Sequence, residues 1–499
     1  VPGGTVELGE GTYLSGSIFL RSNVDFFLGP NARLLASPDP ADFNARDVCA
    51  QNSYSKHENA SGAHLILCIE QENVTLRGPG TVDGNAPKYL LDANGRSYRM
   101  KQIPWRMSQL VYFVESKNLR LEDLRVRGAH YWSVFLHGCT DVAVRGYRMR
   151  TDLSIDNSDG IDIDCCRDVT MSDCVIDAGD DGIAIRASGR RLKVKRPCEN
   201  VTIANCVVSS ECNGMRIGVG DGAIRNVTVG NCVFPRTAAA VTICSAYSPA
   251  PKNVDIEHLR IHDCQFLQSA ALFEISTSWW RTPCAMRDVE FRACRFESLA
   301  GGFIWGRGKD LPDDVRFIDC DFAPLVQLDD PGKLFDPEMH FARPSMVSHR
   351  PMFAIGPSSN VLFRGCRIVW PAPGEWAQRW TGLFAGCGAG GVKVENCAFP
   401  EPPRTDETDA LKPFPVLQPV PDYLLDPLRG FQSAPSITAS PKGRLWVAWH
   451  TGGCTEGDEN ALVAVSSGDG GKTWSRPLLA IDQTGPLRIY DPGLWTDPD

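Results

Sequence analysis

The sequence predicts an all-β chain, most of it wound as a parallel β-helix, and three observations carry that prediction. An apolar-x-apolar phrase recurs behind an Asn or Asp: Asn73-Val-Thr-Leu, Asn118-Leu-Arg-Leu, Asp141-Val-Ala-Val, Asp168-Val-Thr-Met, Asn200-Val-Thr-Ile, Asn226-Val-Thr-Val, Asn253-Val-Asp-Ile, Asp288-Val-Glu-Phe, Asp314-Val-Arg-Phe and Asn360-Val-Leu-Phe, with Gly391-Val-Lys-Val as a variant. Alternation with period two marks strands, and one residue type at one corner marks a repeat. Cysteines close the same phrase at 174, 206, 232, 264, 294, 320, 366 and 397, spaced by 32, 26, 32, 30, 26, 46 and 31 residues. Such spacing describes coils with loops of unequal length. Asp159-Gly-Ile-Asp-Ile and Asp181-Gly-Ile-Ala-Ile are one phrase written twice, 22 residues apart. A sandwich of antiparallel strands would not need the same residue at the same corner so often.

The coils begin at once, with Gly4-Thr-Val-Glu-Leu and Gly11-Thr-Tyr-Leu-Ser-Gly. The chain opens without Met or a basic-then-apolar leader and stops in mid-pattern at Leu494-Trp-Thr-Asp-Pro-Asp, so both ends read as cut. The 499 residues carry a formal charge of -9 and a pI near 5.6, and they lack basic runs, which speaks against nucleic acid. No apolar run is long enough to span a bilayer as a helix. The 19 cysteines are expected as a ladder of free core thiols. Stacking in register holds neighbouring Cβ atoms farther apart than a disulfide prefers, and Cys is readily buried. The redox compartment stays open.

Loops that lengthen the period carry aromatic residues, at Tyr98 to Trp105, Tyr131-Trp132, Trp279-Trp280, Trp305 and Trp370 to Trp380. They are expected either to wall a groove or to cap their own coils. The coil pattern ends near Pro400, which gives a β-helix over 1–400 and a Pro-rich acidic linker over 401–425. A different pattern fills 426–499: two strands around Lys442-Gly443, then Ser467-Gly-Asp469-Gly-Gly471-Lys-Thr-Trp474.

Stacking of coils sets the candidate chemistry. One coil stands beside the next at about 4.7–4.9 Å, so Asp159 is expected beside Asp181, with Asp180 completing three carboxylates. Like charges that close cannot all ionise, and one pKa should rise to give an acid beside ionised bases. The ladder continues through Asn213 and Ala239, with Gly160, Gly182 and Gly214 behind it, as expected where the backbone bends and a ligand comes close. Outward-facing positions read Asp162, Ala184, Arg216, Thr242, and a neighbouring row reads Asp164, Arg186, Gly218, Cys244. Arg216 and Arg186 are expected to bind a substrate carboxylate bidentately, or else to pair with the chain's own acids. His130 and His137 flank Trp132 one coil earlier, where a histidine could reach the cleft or be structural.

Asn157-Ser-Asp159-Gly160 followed by Gly179-Asp180-Asp181-Gly182, on coils that contain Gly11-Thr-Tyr-Leu-Ser-Gly and Gly80-Thr-Val-Asp-Gly-Asn, resembles glycoside hydrolase family 28, the polygalacturonases and related pectin hydrolases, over about residues 1–400. The resemblance implies a right-handed parallel β-helix and inverting hydrolysis, with Asp180 protonating the leaving oxygen and Asp159 and Asp181 activating water. It implies no metal and no cofactor; Arg216, Arg186, Asn213, His130 and Trp132 are the substrate-binding candidates that the row positions offer, the arginines and His130 as replacements for family side chains this chain lacks. Three family side chains are missing. Cys212-Asn213-Gly214 replaces Gly-His-Gly, and Thr242-Ile243-Cys244 replaces Arg-Ile-Lys, which argues against an ordinary polygalacturonase. The 467–474 segment resembles the Asp-box hairpin of sialidase-like β-propellers, so 426–499 is expected as a partial propeller.

The expectation is therefore a monomeric, extracellular or periplasmic glycosidase acting on a pectin-related acidic polysaccharide or oligosaccharide, with neither nucleic acid nor membrane as partner. Two other readings are a carbohydrate-binding solenoid and a β-helix lyase or epimerase. The latter is weakened because no lysine stands in the ladder to take a C5 proton.

Overall fold

The computed structural model describes residues 3–56, 58–87, 105–245, 253–277, 284–306, 310–329, 351–372, 380, 382–386, 392–402, 416–421, 424, 431–452, 460–482 and 492–495. Among them the coils stack into two parallel sheets of 13 and 22 strands. Alternation puts one apolar set inside, and register repeats it from coil to coil. Val74, Leu119, Val142, Val169, Val201, Val227, Leu259, Val289, Val315 and Val361 hold one position, all buried. Farther along, Phe234, Phe266, Phe296 and Phe322 stack face to face with centroids 4.6, 4.9 and 5.4 Å apart, within the range of favourable offset contacts.

The corner residues show why Asn and Asp recur. Asn73, Asn118, Asp141, Asp168, Asn200, Asn226, Asp288, Asp314 and Asn360 all have φ between 52° and 58°, the left-handed region that Asn and Asp tolerate best after Gly. Their amides also chain together: Asn118 Nδ2 donates to Asn73 Oδ1 at 2.8 Å, and Asn226 Nδ2 to Asn200 Oδ1 at 3.1 Å. Asn253 is not in this ladder, contrary to the sequence reading. His258 stands between Asn226 and Asp288, with φ 59°. Asn226→Val should destabilise the fold by about 1–2 kcal/mol more than Asn226→Gly, measured by denaturant unfolding, because a β-branched residue resists this conformation.

All described cysteines are free thiols. The ladder is knit by sulfur contacts such as Cys206 N–H donating to Cys232 Sγ at 3.4 Å. On the outer face Arg167, Glu199, Arg225, Glu257, Arg287 and Asp313 occupy one registered row in alternating sign. Arg225 reaches Glu199 at 2.6 Å and Arg287 reaches Glu257 at 2.5 Å. No helix among the described residues is long and apolar enough to cross a membrane.

Beyond the coils, Val416–Leu417, Phe431–Ala439, Leu445–Gly452, Ala461–Ser467 and Leu479–Ile481 form an antiparallel sheet. Val416–Leu417 lies inside the segment expected as linker, yet it pairs with Leu479–Ile481. In the Ser467–Trp474 turn, Asp469 Oδ1 accepts from Thr473 N–H at 2.9 Å and Oδ2 from the Thr473 hydroxyl at 2.6 Å. These bonds hold the Asp469 carboxyl below its usual range, to about 2, and commit it to the turn. Asp469→Ala should loosen this turn, read as faster amide exchange in Ala461–Ser467.

Candidate active site

Six neighbouring strands build the site: β1 (Val134–His137), β2 (Ile161–Asp164), β3 (Ile183–Ala187), β4 (Val207–Gly220), β5 (Thr237–Cys244) and β6 (Gln265–Ser276). Apolar residues on either side, such as Ile161, Met215 and Phe273, point inward, and the residues between them form an outward row: Phe135, Asp162, Ala184, Arg216, Thr242, Glu274. Asp159 and Asp181 precede β2 and β3, and Gly160 N–H donates to Asp181 O at 2.9 Å. The glycines behind them are there for packing. A Cβ on Gly160 would lie 2.3 Å from Gly182 O, and one on Gly182 would lie 2.7 Å from Gly214 O. What comes close to these glycines is the next coil, where a ligand was expected.

The three sequence-predicted carboxylates converge, keeping 3% (Asp159), 5% (Asp180) and 3% (Asp181) of their surface exposed. Asp180 Oδ1 accepts from Asp181 N–H at 2.9 Å and Oδ2 from Asn157 N–H at 3.0 Å. Burial, then the neighbouring Asp181 charge, push the Asp180 carboxyl up to about 7, against the Cys212 hydrogen bond, Arg216 and the Asn157 N–H. Asp159 is pushed well above the usual carboxylate range by burial and by the charges of Asp162, Asp180 and Asp181. Burial also raises Asp162, to about 8, although Arg186 opposes it. Asp181 accepts from Asn213 Nδ2 at 2.6 Å and from Arg216 at 3.4 Å. The Thr242 hydroxyl donates to Asn213 Oδ1 at 2.5 Å, which orients that amide toward Asp181.

Both arginines meet the chain's own acids. Arg186 lies 3.2 Å from Asp162 and 3.5 Å from Asp164, with its guanidinium 4.3 Å over the Trp132 ring. Arg216 pairs with Asp181 at 3.4 Å. This is the internal pairing that sequence reasoning offered as the alternative to binding a substrate carboxylate. The expected row keeps Asp164 beside Arg186 and Gly218 beside Cys244, but its middle step is irregular, because Ile185 pairs with Ile217 while Ala187 pairs with Gly220. A bulge at Gly218-Val219 absorbs the extra residue.

His130 does not reach the cleft as a ligand. Its Nδ1 accepts from Met107 N–H at 3.3 Å and its Nε2 donates to Gly84 O at 2.8 Å. Burial pulls its pKa down to about 4, so it is neutral and structural. His137 is likewise held, between the Tyr112 hydroxyl and Ser188 O, both at 3.2 Å. Trp132 is half-buried against Tyr131 and supports Arg186. Of the remaining loop aromatics, Trp105 packs edge-on to His130 and Trp370 against Trp380, while 98–104 and Trp279-Trp280 lie outside the described residues.

Sequence reasoning missed Cys212 and Glu274 as parts of this site. A register shift between Ser210 and Asn213 accompanies the placing of Cys212 beside Asp180. Burial and the nearby carboxylates hold its thiol well above the usual range, so it keeps its proton. Glu274 was within reach of the pattern, because Phe273-Glu274-Ile275 repeats Val241-Thr242-Ile243 one coil on. Asp180, Asp181 and Cys212 present ligand-type atoms within 4.8 Å of one another, but the Arg216 guanidinium already supplies positive charge on Asp181.

Residues 44–265 match the profile of Glycosyl hydrolases family 28. The chain is 26% identical over 260 residues to an endo-polygalacturonase of Pectobacterium carotovorum subsp. carotovorum, an alignment covering 50% of this chain and 62% of that protein. It is 25% identical over 181 residues to a probable polygalacturonase of Vitis vinifera, covering 36% and 35%. In fold it is similar to the Yersinia enterocolitica family 28 exopolygalacturonase, with a TM-score of 0.58 and 17% identity over 80% of this chain and 73% of that one. The stacked coils that hold Asp159, Asp180 and Asp181 therefore lie within the stretch, residues 44–265, that matches the family 28 profile.

Proposed function

We propose that the chain is an extracellular or periplasmic glycoside hydrolase that cleaves a pectin-type polysaccharide, not necessarily plain polygalacturonate, by inversion. The observation that carries this reading is the convergence of Asp159, Asp180 and Asp181 from two stacked coils within the matched domain. Asp180, raised to about 7, is the general acid that protonates the leaving oxygen. Asp181, held by Asn213 and Arg216, is the base that activates water, and Asp159, the second carboxyl expected in that role, joins it only where its raised carboxyl has lost its proton. The water oxygen bonds the anomeric carbon as the bond to the protonated leaving oxygen breaks, and the proton that water sheds passes to the carboxylate base. The C-terminal sheet is read as part of a propeller-like accessory module.

One observation favours a second stereochemical reading. The ligand-type oxygens of Asp180 and Asp181 lie within 4.8 Å of each other, closer than the roughly 6.5–9.5 Å between the carboxyls of most inverting pairs. A reducing-end assay over a panel of pectic glycans, followed by proton NMR of the first-formed anomer, tests both points. Inverted product supports the proposal, retained product replaces it with a covalent route, and no cleavage anywhere on the panel sinks the glycosidase reading.

A further inference from the structure

The bulged segment of β4 ties Cys212 to both members of the acid–base pair. The Ser210 hydroxyl donates to Asp180 O at 2.5 Å and accepts from Cys212 N–H at 2.8 Å, so the thiol's backbone is pinned to that of the general acid. Asn213 Nδ2 donates to Cys212 Sγ at 3.0 Å as well as to Asp181 Oδ1 at 2.6 Å, and the Thr242 hydroxyl aims that amide. This contact engages the sulfur as an acceptor and turns its S–H away from Asn213. The acceptor that the thiol meets is the Asp180 carboxyl, with sulfur and carboxylate oxygen within 4.8 Å of each other. Cys212 keeps 1% of its surface exposed, so bulk water does not compete for this weak donor, and a dry surrounding strengthens it.

The worth of that donor changes during the reaction. Before bond cleavage Asp180 holds a proton, and a neutral carboxyl is a poor partner for S–H. As the glycosidic bond breaks, its electron pair stays with the leaving oxygen, which takes the Asp180 proton, and Asp180 becomes a carboxylate. An interaction that strengthens as this charge develops speeds the step, whereas one of equal strength throughout does not. The sulfur keeps its own proton, because burial and the neighbouring carboxylates hold the thiol well above its usual range. The other charged groups around Asp180 are Asp159 and Asp181, which oppose its ionisation, and Arg216 and Arg106, which favour it. Glu211, next to Cys212 in the chain, is paired with Arg236. All of these stay in place when only the thiol is changed.

We propose that Cys212 is a positioning residue of the general acid, its S–H donating to the carboxylate that Asp180 becomes as the leaving oxygen is protonated. This role rests on the glycosidase reading for the destination of the proton, so its test follows Asp180 both with and without turnover. Carbon-13 NMR of the side-chain carboxyls, with the Asp180 signal identified by its absence from Asp180→Asn, gives the titration midpoint without substrate, and the pH profile of kcat/KM on a pectic glycan gives it during cleavage. Cys212→Ala removes the donor and is expected to move the midpoint, and the falling limb of the profile with it, upward by at least about half a pH unit, roughly threefold in proton affinity. Cys212→Ser supplies an O–H donor in a similar shape and should return both to the parent's position or below it. Unfolding curves matching the parent's show that the fold is intact, and Cys212→Val, which fills the space without a donor, carries the same expectation where Cys212→Ala does not fold. A midpoint unmoved by loss of the donor, or moved equally by Cys212→Ala and Cys212→Ser, would overturn the proposal, since a thiol that only fills space alters rate or stability without shifting the titration. A parent protein that cleaves nothing overturns the glycosidase reading instead, and the two failures are told apart by the carboxyl midpoint, which still moves in Cys212→Ala.

Discussion

Replacing Asp180 by Asn is expected to lower turnover of pectic glycans by about 10²–10⁴-fold, the usual worth of a positioned general acid, in a protein that still folds. An amide has the shape of the carboxyl, so one of the two backbone N–H bonds, from Asn157 or Asp181, keeps its acceptor. The other meets an NH2 group, at a cost of about 1–3 kcal/mol. Removing a charge from a buried cluster offsets part of that cost. The pH profile carries the sign. Because the acid must hold its proton and titrates at about 7, kcat/KM of the parent should fall as pH rises through 7. The variant's residual rate should lack that limb. An unchanged rate at pH 5 would remove Asp180 from the chemistry.

Arg186→Ala is expected to be the most damaging single change to stability near neutral pH, by about 3–5 kcal/mol, the cost of breaking a buried pair by removing one partner. Asp162 and Asp164 are both buried, and both lie within 3.5 Å of that guanidinium. Without Arg186 the Asp162 carboxyl loses the guanidinium that lowers it, so it rises further above its unfolded value. A group with a raised folded pKa binds its proton more tightly in the native state, and stability then falls as pH climbs from about 4. The deficit should therefore be large at pH 8 and shrink toward pH 4, as the unfolded carboxyl also begins to take up its proton. Arg186→Lys should recover only part, since an ammonium cannot face both carboxylates and lie flat on Trp132. A pH-independent loss would show that packing on Trp132, rather than charge, is what Arg186 supplies.

Much of this site could be read from the chain before any coordinates. The outward row Asp162, Ala184, Arg216, Thr242 follows from counting between inward apolar residues, because parallel stacking carries one coil's facing into the next. The failures come where the count breaks. Cys212 and the Arg186–Cys244 row depend on bulges in β4, and one inserted residue changes facing without altering the local phrase. Asn253 looked like a corner because it precedes Val-Asp-Ile, yet His258 takes the left-handed position four residues before His262. His130 could not be judged from spacing, since its partners are the backbone of Met107 and of Gly84, which lies 46 residues away.

The alternating outer row, Arg167, Glu199, Arg225, Glu257, Arg287, Asp313, constrains how such a chain can grow. Deleting one turn would bring two guanidiniums or two carboxylates face to face, whereas deleting two leaves every neighbour of opposite sign. Lengthening or shortening of this solenoid is thus tolerated in even steps, and a duplicated single turn would have to arrive with a charge reversal of its own.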